Sequence, residues 1–83
     1  MTVLYFAWVK EKVGLSAETV TPPPEVITVS QLMDWLAERS PSHAAAFADR
    51  TLIKSAVEQV HVDHSARIDQ AREVAFFPPV TGG

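Results

Sequence analysis

Apolar residues alternate with period two at the start of the chain and predict a first β-strand there. The segment from Thr2 to Trp8 is rich in the aromatic and β-branched residues that favour strands. Its alternation gives two apolar faces, Val3, Tyr5 and Ala7 on one and Leu4, Phe6 and Trp8 on the other. Because both faces are apolar, we expect a helix or a partner to cover the second one. Gly14 can take the left-handed conformation that ends a helix, so residues 9–13 are expected to form a brief helical turn.

The apolar spacing changes to that of a helix after Thr28. Thr28 can cap the first turn while Gln31 reaches back to its amide, and Ile27 can pack on Leu32. The apolar residues that follow share one helical face and are expected in the core: Val29, Leu32, Met33 and Leu36. This segment therefore predicts the main helix of the fold.

Shorter elements surround the main helix. On its N-terminal side, residues 18–21 predict an edge strand that a run of prolines ends. On its C-terminal side we predict a short helix at 43–48, strands at 52–57 and 60–62, a polar turn at 63–72 and a final strand at 73–77. This order predicts an α+β fold with one main helix packed on one face of a mixed sheet, compatible with a ubiquitin-like β-grasp. We expect a β-grasp domain over residues 1–77 and an extended C-terminal tail over residues 78–83.

Composition narrows the classes of function. The 83 residues make one domain with a small core, a net charge of −3 and no basic cluster, so nucleic acid is not expected as a partner. No apolar run is long enough to span a membrane, and we expect a soluble cytoplasmic protein without a membrane partner. Without cysteine the chain has no disulfide, thiolate nucleophile or cysteine-based metal site. His61, Asp63 and His64 suggest a metal site, but on a strand His64 points away from the other two, and we expect no bound metal.

The last six residues, from Pro78 to Gly83, form a distinct ending. Pro78 and Pro79 cannot donate to a sheet ladder, so the final strand should stop at about Phe77 and leave a tail that is stiff at its root. Gly82 and Gly83 add nothing to packing, but a backbone without Cβ atoms can enter a narrow channel and present a terminal carboxylate there. The alternative interpretation is a frayed terminus.

The ending also carries a family resemblance. The MoaD family, the small subunits of molybdopterin synthase, ends in a run similar to residues 73–83 of this chain, Glu-Val-Ala-Phe-Phe-Pro-Pro-Val-Thr-Gly-Gly. Residues 6–11 with Gly14 resemble the first strand and helical turn of that family, and residues 56–59 resemble its middle-strand motif. The similarity spans the whole chain and implies a β-grasp fold.

The resemblance implies the role of a sulfur carrier. In such proteins a MoeB-type enzyme uses ATP to adenylate the terminal glycine, here Gly83, and a sulfur donor protein converts the adenylate to a thiocarboxylate. The tail then enters a MoaE-type large subunit and gives its sulfur to cyclic pyranopterin monophosphate in molybdenum cofactor biosynthesis. The usual assembly is a heterotetramer with the catalytic pocket in the large subunit, so this chain is expected to donate sulfur without catalysing the reaction. It has no glycine-rich phosphate loop, and we expect it to bind no cofactor while the activating partner binds ATP.

The resemblance also implies which residues meet partners. Phe6 and Phe77 match family positions at partner interfaces, although either could be a core aromatic. His61 matches an interface position that is usually apolar in the family. The tail residues expected at the entrance of the partner's channel are Pro78, Pro79, Val80 and Thr81. The chain departs from the family pattern at Lys10, at Glu58 and in the turn 69–72, which lacks the family's glycine.

Two further classes of function stay open. One is a related β-grasp carrier for thiazole or cysteine synthesis, or a ubiquitin-like modifier whose Gly83 forms an isopeptide bond with lysine. The other is a non-covalent interaction module with an incidental tail. Deleting Gly82 and Gly83 separates the module from the others, because only the module should keep its function without them.

Overall fold

The computed structural model describes residues 1–79, which form a five-stranded mixed sheet with helices packed on one face. The strands are β1 (Thr2–Tyr5), β2 (Ala17–Thr19), β3 (Lys54–Val57), β4 (Val60–Val62) and β5 (Glu73–Phe77). The helices are α1 (Ala7–Val13), α2 (Val29–Ala37) and α3 (Pro41–Ala46), and a 3₁₀ turn covers Arg50–Leu52. None of the helices within residues 1–79 is long and apolar enough to cross a membrane.

The last strand lies in the middle of the sheet. The order is β2-β1-β5-β3-β4, with β5 parallel to β1 and antiparallel to β3. This is the β-grasp topology predicted from the sequence, and β5 ends at Phe77 as the two following prolines require. β2 is an edge strand as predicted, but it covers residues 17–19 instead of 18–21.

The main helix begins and packs as predicted. The Thr28 side chain accepts a hydrogen bond from the Gln31 amide at 3.2 Å, and the Gln31 side chain accepts one from the Thr28 amide at 3.1 Å. The predicted core residues of α2, Val29, Leu32, Met33 and Leu36, are all fully buried. Burying each such side chain stabilises the fold by about 1.5–3 kcal/mol, so this face of α2 anchors the helix on the sheet.

The first strand is shorter than predicted. β1 ends at Tyr5, Phe6 is the N-cap of α1, and Ala7 begins the helix with a φ of 53°. Val9 and Val13 lie one helical turn apart and are both buried, which explains why this segment coils into a helix. The prediction of a strand was therefore wrong for residues 6–8.

The strand predicted at 52–57 also begins late. The Asp49 side chain accepts a hydrogen bond from the Thr51 amide at 3.1 Å and caps the 3₁₀ turn that contains Leu52. β3 starts only at Lys54. This turn brings Arg50 and Thr51 to the end of the sheet where β5 finishes.

Glu58 connects two turns at the opposite end of the sheet. It has a φ of 51° in the tight turn between β3 and β4, a left-handed conformation that is uncommon for residues other than glycine. Its Oε1 atom accepts hydrogen bonds from the amides of Arg72 at 2.6 Å and Glu73 at 2.7 Å. The Glu58 carboxylate thus holds the turn that lacks a glycine against the start of β5.

Candidate partner-binding site at the root of the tail

The sheet has one face covered by helices and one open face. Cross-strand partners project on the same side, and a row of such partners crosses all the strands on the open face: Ala17, Leu4, Ala75, Ala56 and His61. The next row on that face contains Phe77 paired with Lys54. Most of these side chains are apolar, so the open face is suited to contact with another protein.

The structure brings two of the predicted interface residues into contact. The His61 and Phe77 rings have centroids 5.1 Å apart, and Phe77 is half-buried. Phe6 is 49% exposed, and its amide donates to the Phe76 carbonyl at 3.1 Å, which places it beside the end of β5. Neither Phe6 nor Phe77 belongs to the buried core, unlike Phe76, which is fully buried.

An open groove of about 820 Å³ begins beside Phe77. It lies where β5 ends, β3 begins and β4 ends, which is the point from which Pro78 continues the chain. The residues around it are Arg50, Thr51, Ile53, Lys54, Ser55, His61, Val62, Asp63, His64 and Phe77. Pro78 and Pro79 are half-buried.

The polar side chains of the groove differ in whether they already have an ion-pair or hydrogen-bond partner. Arg50 forms an ion pair with Asp34, and its Nε donates to the Phe47 carbonyl at 3.4 Å. His64 donates from Nε2 to the Ile53 carbonyl at 2.9 Å. Lys54 is exposed and has no ion-pair partner within residues 1–79.

Asp63 is the acidic residue of the groove. Its Oδ1 accepts hydrogen bonds from the hydroxyl and, at 2.9 Å, from the amide of Ser65. These bonds hold the pKa of the Asp63 carboxyl below its usual range. Over the part of the chain that the structure describes, no three metal-ligating side chains are brought together here or elsewhere.

A buried polar network lies on the helical side of the same strands. The Glu18 Oε2 atom is 2.7 Å from both the Tyr5 hydroxyl and His43 Nε2, and His43 Nδ1 is 2.7 Å from the Ser40 hydroxyl. Burial raises the pKa of Tyr5 far above its usual range, and the bond to Glu18 raises it further. Burial alone would raise the pKa of Glu18, but the bonds from Tyr5 and His43 outweigh it and lower that pKa.

Sequence reasoning missed several parts of this arrangement. Lys54 and Arg50 were not predicted at the site, because only the strand register and the 3₁₀ turn bring them beside Phe77. The polar network of Tyr5 joins residues that are far apart in the sequence, and Tyr5 and His43 are separated by 38 positions. No local sequence pattern could have predicted it. The predicted site residues Val80, Thr81, Gly82 and Gly83 lie outside the described residues.

The fold defines the class of protein: a small ubiquitin-like β-grasp protein whose last strand lies in the middle of a sheet with one open face. The model of the ThiS family matches residues 3–83. A molybdopterin synthase sulfur carrier subunit from Escherichia coli is 42% identical over 98% of this chain and 96% of its own length. One from Haemophilus influenzae is 30% identical over 100% of this chain and 99% of its own.

A solved structure has the same fold. SAMP1 from Haloferax volcanii superposes with a TM-score of 0.74 at 24% identity, over 100% of this chain and 98% of that one. The family model and the two curated relatives show that the chain belongs to the ThiS family, and within it to the MoaD group of molybdopterin synthase sulfur carrier subunits. The resemblance found in the sequence is confirmed.

Proposed function

We propose that this chain carries sulfur for molybdopterin synthesis as the small subunit of a molybdopterin synthase. The observation that carries the proposal is its 42% identity, over nearly its whole length, to a curated molybdopterin synthase sulfur carrier subunit. The β-grasp fold and the Gly82-Gly83 ending support the same function. The expected setting is the cytoplasm, in a heterotetramer with a MoaE-type large subunit.

The reaction begins at Gly83. Its carboxylate, with an ordinary pKa of about 3.3–3.7, is ionised at neutral pH and resists nucleophilic attack. In the proposed sequence a carboxylate oxygen attacks the α-phosphorus of ATP in a MoeB-type partner and pyrophosphate leaves. A sulfur donor then delivers hydrosulfide, which attacks the acyl carbon and displaces AMP with the loss of one proton, and a thiocarboxylate is left on Gly83.

The thiocarboxylate is the nucleophile of the next step. Its sulfur attacks cyclic pyranopterin monophosphate in the pocket of the large subunit, and water then hydrolyses the thioester so formed, which leaves the sulfur on the pterin and returns Gly83 to a carboxylate. Two such transfers build the dithiolene of molybdopterin. Gly82 and Gly83 suit this step because they are the narrowest residues available for a channel. This chain has no cysteine that could exchange with the thiocarboxylate.

The large subunit is proposed to bind the open face and the root of the tail. Phe77 and His61 form a contiguous aromatic surface, and Phe6 exposes its ring at the end of the neighbouring strand. Aromatic residues dominate the energy of many interfaces, so these three are proposed as the anchors. Pro78, Pro79, Val80 and Thr81 are proposed to enter the channel behind them.

Intact-mass spectrometry tests this function. The protein is incubated with a MoeB-type enzyme, ATP and a sulfur donor, and a mass gain equal to replacement of one oxygen by sulfur is expected. Adding a MoaE-type subunit and the pyranopterin precursor should remove that gain and produce molybdopterin. A control carrier shows that the activating enzyme is competent.

Other outcomes redirect the assignment. Sulfur loading without discharge to the pterin would indicate a carrier of another synthesis. A covalent adduct on lysine side chains would indicate a protein modifier. No loading, with a competent control, would leave an interaction module.

A further inference from the structure

We propose that the groove beside Phe77 binds an acidic segment of the large subunit that receives the tail, with Lys54 as the residue that selects it. The inference rests on the proposed function, because it takes the tail-accepting subunit as the partner. The open face supplies apolar contact area. Lys54 supplies charge and therefore selectivity among partners.

The position of Lys54 supports the proposal. Lys54 and Phe77 are directly opposed cross-strand partners, so their side chains leave the open face side by side. The groove starts at the last residue of β5, where the tail begins. A protein that takes up the tail therefore comes close to the groove.

The charged side chains around the groove also support the proposal. The chain as a whole has a net charge of −3, yet the lining of the groove carries two cationic side chains, Arg50 and Lys54, against a single acid, Asp63. Arg50 is paired with Asp34, and Asp63 already accepts the two Ser65 hydrogen bonds. Lys54 has no ion-pair partner within residues 1–79, so its ammonium group is available to a carboxylate of another protein.

Size and distance favour a protein segment over a small anion. A groove of about 820 Å³ that is open to solvent and continues into the open face has room for several side chains. The reacting carbon belongs to Gly83, six residues after Phe77 in the sequence. A substrate held beside Lys54 would lie beside Phe77, which the sequence separates from the reacting residue.

Charge reversal tests the proposal. The dissociation constant of the full chain for its MoaE-type subunit is measured by calorimetry for wild type, Lys54→Glu and the matched control Lys12→Glu, which changes the net charge equally on α1. We expect Lys54→Glu to weaken binding by about tenfold or more in low salt and by less in high salt, because opposed like charges are costly and screened by ions. Lys12→Glu should stay within about twofold.

Carbodiimide cross-linking identifies the partner residue. The reagent activates a carboxylate of the large subunit, the Lys54 amine attacks the activated carbon, and an amide forms with the net loss of one water from the two proteins. Substituting lysine for the cross-linked acidic residue of the large subunit should restore the binding of Lys54→Glu to that subunit. Unchanged melting temperatures of both lysine variants show that they fold.

Several results would overturn the inference. If Lys54→Glu binds the large subunit as tightly as wild type while sulfur transfer proceeds, the inference fails and the proposed function stands. If wild type is not loaded with sulfur by a competent activating enzyme, the proposed function itself fails. Concentration-dependent dimers of the isolated chain that Lys54→Glu abolishes would assign the groove to a second copy. Saturable amide shifts around the groove on titration with inorganic phosphate, lost in Lys54→Glu, would assign it to a small anion.

Discussion

Replacing Glu18 by glutamine should destabilise the fold by about 2 kcal/mol at neutral pH. Glu18 accepts hydrogen bonds from Tyr5 and His43, both at 2.7 Å, and its side chain is only 13% exposed. Hydrogen bonds to a charged group contribute about 1.5–3 kcal/mol each, and neutral ones about 0.5–1.5. Because glutamine keeps the shape and can still accept, the loss is about 1 kcal/mol per bond. The ion pair with Arg39, at 3.8 Å and more exposed, adds little.

The pH dependence of this loss follows from the lowered pKa of Glu18. Because the folded pKa lies below the unfolded value of about 4.3, the charged carboxylate stabilises the fold fully above that value. The contribution is lost as the pH falls through the folded pKa, when Glu18 becomes neutral like glutamine. The difference between wild type and Glu18→Gln should therefore be present at pH 7 and shrink below about pH 4.

Urea unfolding followed by the fluorescence of Trp8 and Trp35 measures the difference. With a slope of about 1 kcal/mol per molar urea, the midpoint at pH 7 should fall by about 2 M. Glu25→Gln is the matched control, since Glu25 is exposed and its side chain makes no hydrogen bond within residues 1–79. A loss below about 0.5 kcal/mol at pH 7, or one that stays constant down to pH 3, would refute the assigned role of the network.

Three further predictions concern binding, loading and the Glu58 turn. Phe77→Ala should weaken binding of the large subunit by about tenfold or more in calorimetry, whereas Leu52→Ala, on the helical side against Trp8, should not; equal dissociation constants for Phe77→Ala and wild type would remove Phe77 from the interface. Deletion of Gly82 and Gly83 should abolish sulfur loading in intact-mass spectra without moving the urea midpoint, and a loaded deletion variant would contradict the role of Gly83. Glu58→Ala should speed hydrogen exchange at the Arg72 and Glu73 amides and cost about 1 kcal/mol or less, since the site is exposed; unchanged exchange would contradict the assigned hydrogen bonds.

Local patterns predicted the elements whose signals are local. The Thr28 capping box, the apolar face of α2 and the end of β5 before the prolines each depend on residues within one or two turns of chain. The segment 6–8 was assigned wrongly because its strand propensity competes with a helix that buries Val9 and Val13 and leaves Glu11 exposed, whereas a strand would place Glu11 on the same face as the two valines. The charged residue midway between those valines was the signal available against the strand.

The candidate site was predictable only in part for a related reason. His61 and Phe77 were named from the family resemblance, and their contact depends on the pairing of β4 with β3 and of β3 with β5. Lys54 joins them through the same register. A register cannot be read from residues 52–62 alone, because a shift by one residue exchanges the two faces of a strand.

The Phe76-Phe77 pair shows how that exchange is prevented. By composition either phenylalanine could face the core, and the alternation of β5 requires that the other face outward. Phe76 packs against the rings of Tyr5 at 6.4 Å and Phe47 at 5.1 Å and is fully buried, which leaves Phe77 on the open face beside His61. A slip of one residue would put Phe77 in the place of Phe76, but it would also replace Val74 by Ala75 in the core and turn the Glu73 carboxylate toward it, so the slip loses apolar burial and buries a charge. The packing that stabilises the central strand thereby also fixes the position of Phe77 and the point from which the tail leaves the domain.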